Sequence, residues 1–242
     1  MKLKILLCLI FFLGAVNPKT GDNIKIGMYA DYGVADYEIT RLKYVTEIRD
    51  KFLLINEHLN ITLLTAKQIR NNDLSKYDFI IMPGGIASKY WRWLQPKGRE
   101  KIKEYIKNGG NYIGICAGGY LARWLKITTA KYSKTYWGKG CGIIKIRPTK
   151  LGKKIFPNIN KIIKVYYASG PIIWTKGKSV FKFVTDLCIF KKVACGENVG
   201  ADFASIEKHG NGKTIIISGH FESTKNKEWM LIKIIRYIHE NK

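Results

Sequence analysis

The sequence predicts one α/β domain, a three-layer fold in which a mostly parallel sheet is covered by helices. Three observations carry this. Strands and helices alternate through the first half of the chain, the arrangement that builds parallel sheets from crossover units. The run Phe79–Met82 is apolar without a break, as expected of a strand covered on both faces. A glycine-flanked turn, Gly114–Gly119, leads from an apolar strand directly into a helical segment.

The elements follow in order. Asn23–Ala30 reads as the first strand, Asp31–Gly33 as a loop, and Asp36–His58 as a helix with Tyr37, Leu42, Val45, Ile48, Phe52 and Leu53 near one face. Asn60–Leu64 and Tyr77–Met82 are strands, the second closed by Pro83-Gly84-Gly85. Pro96–Asn108 is a helix with proline near its start and Gly109-Gly110 at its end. Tyr112–Ile115 is a strand, and a helix runs from Ala117 to about Leu125. The second half changes to short strands, among them Cys141–Arg147, Ile162–Tyr167 and Val180–Thr185. Lys208–Lys213 is a hairpin turn between Phe203–Glu207 and Thr214–Ser218, and Asn226–His239 is an amphipathic helix. At 242 residues and 46% hydrophobic, the chain fills one domain, taken as residues 24–240, and excludes a disordered polypeptide.

The N-terminus reads differently. Lys2 and Lys4 precede an apolar run, Ile5–Val16, that ends at Asn17-Pro18. The run is too short to span a bilayer comfortably and fits a secretory signal. Residues 1–18 are therefore expected to be a signal peptide or membrane anchor, and the protein to be exported or anchored rather than cytoplasmic. A buried first element is the alternative.

The formal charge is +24, and residues 105–185 hold 16 Lys and Arg with no Asp or Glu. Such a field favours anionic partners. The lysines are scattered and lack a stacking pattern, so nucleic acid is not expected. A small-molecule or peptide substrate is the expected partner, with an anionic membrane surface as the alternative. The sequence does not specify the oligomeric state. Five cysteines occur without a C-x-x-C pair, so neither a structural zinc site nor any other metal or cofactor is expected. In an oxidising compartment Cys188 and Cys195 are candidates for pairing, and Cys141 is the remaining thiol outside the signal and the glycine turn.

The chemistry centres on Gly114-Ile115-Cys116-Ala117-Gly118-Gly119, a thiol form of the nucleophile elbow. The strand must turn sharply into the helix, and side chains two residues either side of Cys116 would collide in that turn. The elbow presents the thiol at the carboxyl edge of the sheet and at a helix N-terminus, whose dipole favours a thiolate. A passive buried thiol in a tight turn is the alternative. Of four histidines, His58, His209 and His239 fall in surface positions, whereas His220 follows the apolar strand Thr214–Ser218. Glu222, two residues on, can hold its far ring nitrogen. The Ala117 N–H, with Gly85 or Gly84, offers donors for an oxyanion. Tyr120, Ser169 and Asp31 are candidates to line the same mouth.

Met82-Pro83-Gly84-Gly85, Gly114-Ile115-Cys116-Ala117-Gly118 and Gly219-His220-Phe221-Glu222 resemble, in order and placement, the motifs of class I glutamine amidotransferase-like domains. The longer strings Gly114–Tyr120 and Tyr167-Ala168-Ser169-Gly170-Pro171 resemble the branch named for the N-terminal domain of some biotin-protein ligases. The resemblance spans about residues 24–240 and implies a flavodoxin-like sheet. It also implies a Cys116–His220–Glu222 triad and an oxyanion hole at Gly85 and Ala117. Two positions depart: Tyr120 stands where glutamine-hydrolysing members carry Gln, and Phe221 where they tend to carry Pro. Both point away from glutamine as substrate. The expected function is a cysteine hydrolase or amidotransferase-like enzyme acting on an amide or acyl bond. A non-catalytic binding module with a basic face is the alternative.

Overall fold

The computed structural model describes residues 23–34, 38–56, 58–134, 140–190 and 195–241. The expected signal or anchor, and Tyr37 of the first helix, lie outside these. In the first half, β1 (Ile24–Tyr29), α1 (Glu38–Ile55), β2 (Leu59–Leu64), α2 (Ala66–Asn71), β3 (Phe79–Met82), α3 (Ala87–Lys107), β4 (Asn111–Ile115) and α4 (Ala117–Trp124) alternate as expected. The second half holds β5 (Lys131–Tyr132), β6 (Cys141–Pro148), α5 (Lys150–Ile155), β7 (Ile163–Ala168), β8 (Ile173–Trp174) and β9 (Lys178–Phe183). A 3-10 turn at Leu187–Phe190, then β10 (Asp202–His209), β11 (Gly212–Ile217) and α6 (Glu228–Glu240) complete it.

The strands form one mixed sheet in the order β2-β1-β3-β4-β11-β10-β9-β6-β7. From β2 to β11 every pairing is parallel, and from β10 to β7 every pairing is antiparallel. The parallel part is the expected core, and all four residues of β3 and all five of β4 are buried. The hairpin places β11 between β10 and β4, with a two-residue turn at Gly210-Asn211 rather than the longer turn expected. Parallel β1, β3, β4 and β11 all end on one edge of the sheet. Antiparallel alternation brings the end of β7, the end of β9 and the start of β6 to that same edge. α1, α5 and α6 pack together, as do α2, α3 and α4, giving the two helical layers. No helix among the described residues is long and apolar enough to cross a membrane.

Local chemistry explains where the elements depart from expectation. α2 is closed by a capping box, in which Thr65 accepts from Gln68 N and the Gln68 side chain accepts from Thr65 N. Helix α3 starts nine residues before Pro96 and breaks at Gln95, whose φ of 55° and ψ of 174° lie outside the helical region. Pro96 disfavours helical geometry at the residue before it, so the proline does start a helix, one preceded by a separate helical segment of eight residues from Ala87 to Leu94. On α1, Val45, Ile48 and Phe52 are buried as expected, but Leu53 is 37% exposed because it has turned off the packed face. On α6, Ile232, Ile235 and Ile238 are buried.

Candidate active site

Cys116 is the residue between β4 and α4, with φ 49° and ψ −103°, a conformation disfavoured for a residue with a side chain. The strain persists because the surroundings fix both flanks. The Cys116 N–H donates to Ile217 O at 2.8 Å, tying the elbow to β11. A Cβ on Gly114 would meet the Gly118 carbonyl carbon at 2.5 Å, and one on Gly118 would overlap the Met82 carbonyl oxygen. The two glycines thus let the helix start directly on top of the strand. Gly119 is also confined, facing Ile216 and Pro171 at 2.9 Å.

Because β11 neighbours β4, the residues after β11 emerge beside the thiol. The chain turns after His220, with Thr224 N donating to Phe221 O at 3.1 Å, so that Glu222 comes back onto the His220 ring while Phe221 packs inward. Phe221 is fully buried, with ring centroids 5.4 Å from Phe203 and 5.8 Å from Phe181. That apolar anchor holds His220 and Glu222 toward the sheet edge, and it accounts for a bulky residue where the resemblance leads one to expect proline. The His220 N–H donates to Tyr166 O at 2.9 Å, and the Tyr166 ring lies 5.7 Å from the imidazole.

His220 Nδ1 lies 2.7 Å from Glu222 Oε1, both side chains being buried. With Nδ1–H donated to the carboxylate, Nε2 is left for the thiol. Burial opposes a charge on the ring, but the Glu222 carboxylate and hydrogen bonding to Cys116 outweigh it, holding the imidazole well above its ordinary value. The thiol also donates to Ala168 O at 3.3 Å. Gly84 packs on the same ring, a Cβ there meeting His220 Cε1 at 2.6 Å. Gly85, at φ 150°, has no room for a Cβ beside the Gly33 carbonyl. Ala117 opens α4, so its N–H has no acceptor within the helix.

Tyr120 and Ser169 come together: the Tyr120 hydroxyl donates to Ser169 O at 3.1 Å. Ser169 itself, at φ 51°, turns its hydroxyl to Gly140 O at 3.1 Å rather than toward the thiol. Asp31 departs from expectation. Its carboxylate accepts from Tyr32 N at 2.8 Å and Ala66 N at 2.9 Å, bracing the first loop against the start of α2. A cavity of about 440 Å³ lined by Asn72, Tyr77, Lys101, Tyr105 and Asn111 sits at the opposite edge of the sheet and contains none of the candidate residues.

Two contributors escaped the sequence. Tyr166 covers His220 from the edge strand. The Tyr44 hydroxyl, from α1, donates to Glu222 Oε1 at 3.0 Å, the same oxygen that takes His220 Nδ1, while Oε2 is buried without a hydrogen-bond partner among the described residues. No local pattern marks Tyr44, because the contact spans 178 positions. Hydrogen bonds to charged groups contribute about 1.5–3 kcal/mol. Tyr44→Phe is therefore expected to lower the urea unfolding free energy by about that amount and to slow Cys116 alkylation several-fold. Intact stability with unchanged alkylation would remove Tyr44 from the site.

Residues 26–126 match the family described as "Biotin-protein ligase, N terminal". A cobyric acid synthase from Prochlorococcus marinus is 35% identical over 125 residues, which are 48% of this chain and 24% of that protein. The chain thus spans about a quarter of the length of that relative. Among solved structures, PurLQS from Thermotoga maritima superposes with a TM-score of 0.62 at 16% identity, covering 89% of this chain and 99% of the other. A glutamine amidotransferase from the same organism gives 0.56 at 14%, covering 90% and 86%. These likenesses establish the fold as class I glutamine amidotransferase-like.

Proposed function

Because the chain has the class I glutamine amidotransferase-like fold and matches the biotin-protein ligase N-terminal family over residues 26–126, we propose that it is a cysteine-dependent hydrolase or amidotransferase-like protein. Its reaction is cleavage of an amide or related acyl bond by Cys116, His220 and Glu222. The observation that carries the reading is the hydrogen-bonded His220–Glu222 pair beside a thiol on a strained elbow.

In this reading the Cys116 sulfur attacks the carbonyl carbon, and the oxyanion is received by the Ala117 N–H and the Gly84-Gly85 turn. Protonated His220 gives its proton to the departing nitrogen, leaving a thioester and a free amine. Water then attacks the thioester while His220 takes its proton, releasing the acid and restoring the thiol. Glu222 keeps the ring oriented throughout and Tyr44 keeps Glu222 in place. Tyr120, with its hydroxyl committed to Ser169 O, argues for a substrate other than glutamine. The test is intact mass spectrometry after brief exposure to a panel of small amides and activated esters, glutamine included. A thioester mapped to Cys116 supports the reading, and a panel that never acylates Cys116 overturns it.

One observation favours the second reading, a binding module for an anionic membrane surface. The outward face of β6 and β7 is uncovered, exposing Ile143, Lys145, Arg147 and Lys164. Salt-sensitive vesicle binding that survives Cys116→Ala would support it, and no binding to anionic vesicles at low salt would dismiss it.

A further inference from the structure

The antiparallel half of the sheet carries a second cluster of reactive side chains. After β9 the chain passes Asp186 and the 3-10 turn, and it returns at Cys195 to reach β10. The carboxylate of Asp186 and the thiols of Cys188 and Cys195 offer one donor atom each, all within 4.8 Å of one another. Both thiols are free. Seven positions separate the cysteines in the sequence, so no short metal-binding spacing announces them.

The base of this segment is tied on both sides. The Asp186 carboxylate accepts from Cys188 N at 3.1 Å and from Gly196 N at 2.6 Å, holding the outgoing and returning chain together. Asn198 is fully buried and bridges the same base, accepting from Leu187 N at 2.8 Å and donating to Thr185 O at 2.6 Å. Below it, Gly200 N donates to Phe183 O and Phe183 N to Ala201 O, both at 3.0 Å. The backbone that carries the three donors is therefore fixed by hydrogen bonds that do not use the thiols.

We propose that Asp186, Cys188 and Cys195 form a binding site for a soft divalent cation of the zinc type, with three protein ligands and one open position. Zinc–sulfur and zinc–oxygen bonds of about 2.3 and 2.1 Å place tetrahedral sulfur and oxygen donors roughly 3.6–3.8 Å apart, and the three donor atoms already lie within 4.8 Å of one another. Two thiols and a carboxylate are also the donor set that prefers such a metal to magnesium or calcium. Binding converts both thiols to thiolates and releases their two protons to solvent. The site stands on the same sheet edge as Cys116 but shares no residue with it.

Cobalt(II) tests the assignment on the reduced, metal-free full chain, because tetrahedral cobalt–thiolate centres absorb in the visible and near ultraviolet. One equivalent of cobalt is expected to develop both bands, and one equivalent of zinc to bleach them. Cys188→Ser and Cys195→Ser should each lose the sulfur-to-cobalt intensity by at least half, whereas Cys116→Ala and Cys141→Ser keep it. Two outcomes overturn the proposal. One is an absence of tetrahedral bands at stoichiometric cobalt. The other is a Cys188–Cys195 disulfide in protein isolated without reductant, which would make the pair a covalent clasp.

Discussion

Gly118→Ala is expected to destabilise the protein by at least about 3 kcal/mol, at the upper end of what an overpacked methyl costs. The added Cβ would overlap the carbonyl oxygen of Met82, and its carbon would lie 2.9 Å away. Neither neighbour is free to retreat. Met82 ends β3 and is paired in register with Gly114 of β4, and the Gly118 carbonyl accepts the buried Tyr112 hydroxyl at 2.7 Å. Relief requires α4 to lift from the sheet, which uncovers Leu121 and Ala122, both fully buried. Alanine's better helix propensity offsets only about 1 kcal/mol of this. In a chain of this size the loss corresponds to a fall in Tm of roughly 10 °C. Gly109→Ala is the control: its site is open but its φ is 112°, so it bears only backbone strain of about 1–2 kcal/mol. A thermal melt in which Gly118→Ala falls no further than Gly109→Ala would show that the elbow does not need glycine for space.

The contrast between those two glycines also shows what a sequence displays. The requirement at Gly114 arises within five residues of chain, since its Cβ would meet Gly118 and Gly119, whereas that at Gly118 comes from Met82, 36 positions away on β3. His220 was legible for a different reason: it follows an apolar strand, and strands of a parallel sheet end together. Glu222 then lies two residues on, where the turn after His220 brings it back onto the ring. Tyr44 and Tyr166 were not legible, because they reach His220 and Glu222 from an outer helix and an edge strand whose docking no local pattern specifies. The structural part of Asp31 was hidden for the same reason, since proximity to a strand end does not reveal that its carboxylate accepts from Ala66 N, 35 positions away. The capping signals for α2 at Thr65–Gln68 and for α5 at Thr149 were present in the sequence. They belong to helices of six residues, too short for periodicity to draw attention to them.

His220→Gln is expected to slow alkylation of Cys116 by a small iodo reagent about 100-fold at neutral pH, the low end of what a positioned base contributes. Glutamine keeps a donor near Glu222, which avoids leaving a buried carboxylate unpaired, a loss that costs about 3–5 kcal/mol in its own right. Mass spectrometric mapping separates Cys116 from the exposed Cys141 and Cys195, which report reagent quality and should label equally in both proteins. The pH dependence supplies a second readout. The folded-state value of His220 is raised, so its charge contributes stability that is fully present below the ordinary value near 6.5. That contribution is lost as pH rises through the higher folded value. The stability gap between wild type and His220→Gln should therefore be widest near pH 6 and narrow on the alkaline side. Glu222→Gln removes the carboxylate that counteracts burial of the ring, so the imidazole must titrate at lower pH in that variant, measurable by NMR of its ring protons. If Cys116 labels at the wild-type rate in His220→Gln, and the histidine titrates unchanged in Glu222→Gln, the three side chains are neighbours without being a catalytic unit. The fold would then be serving a function other than acyl chemistry.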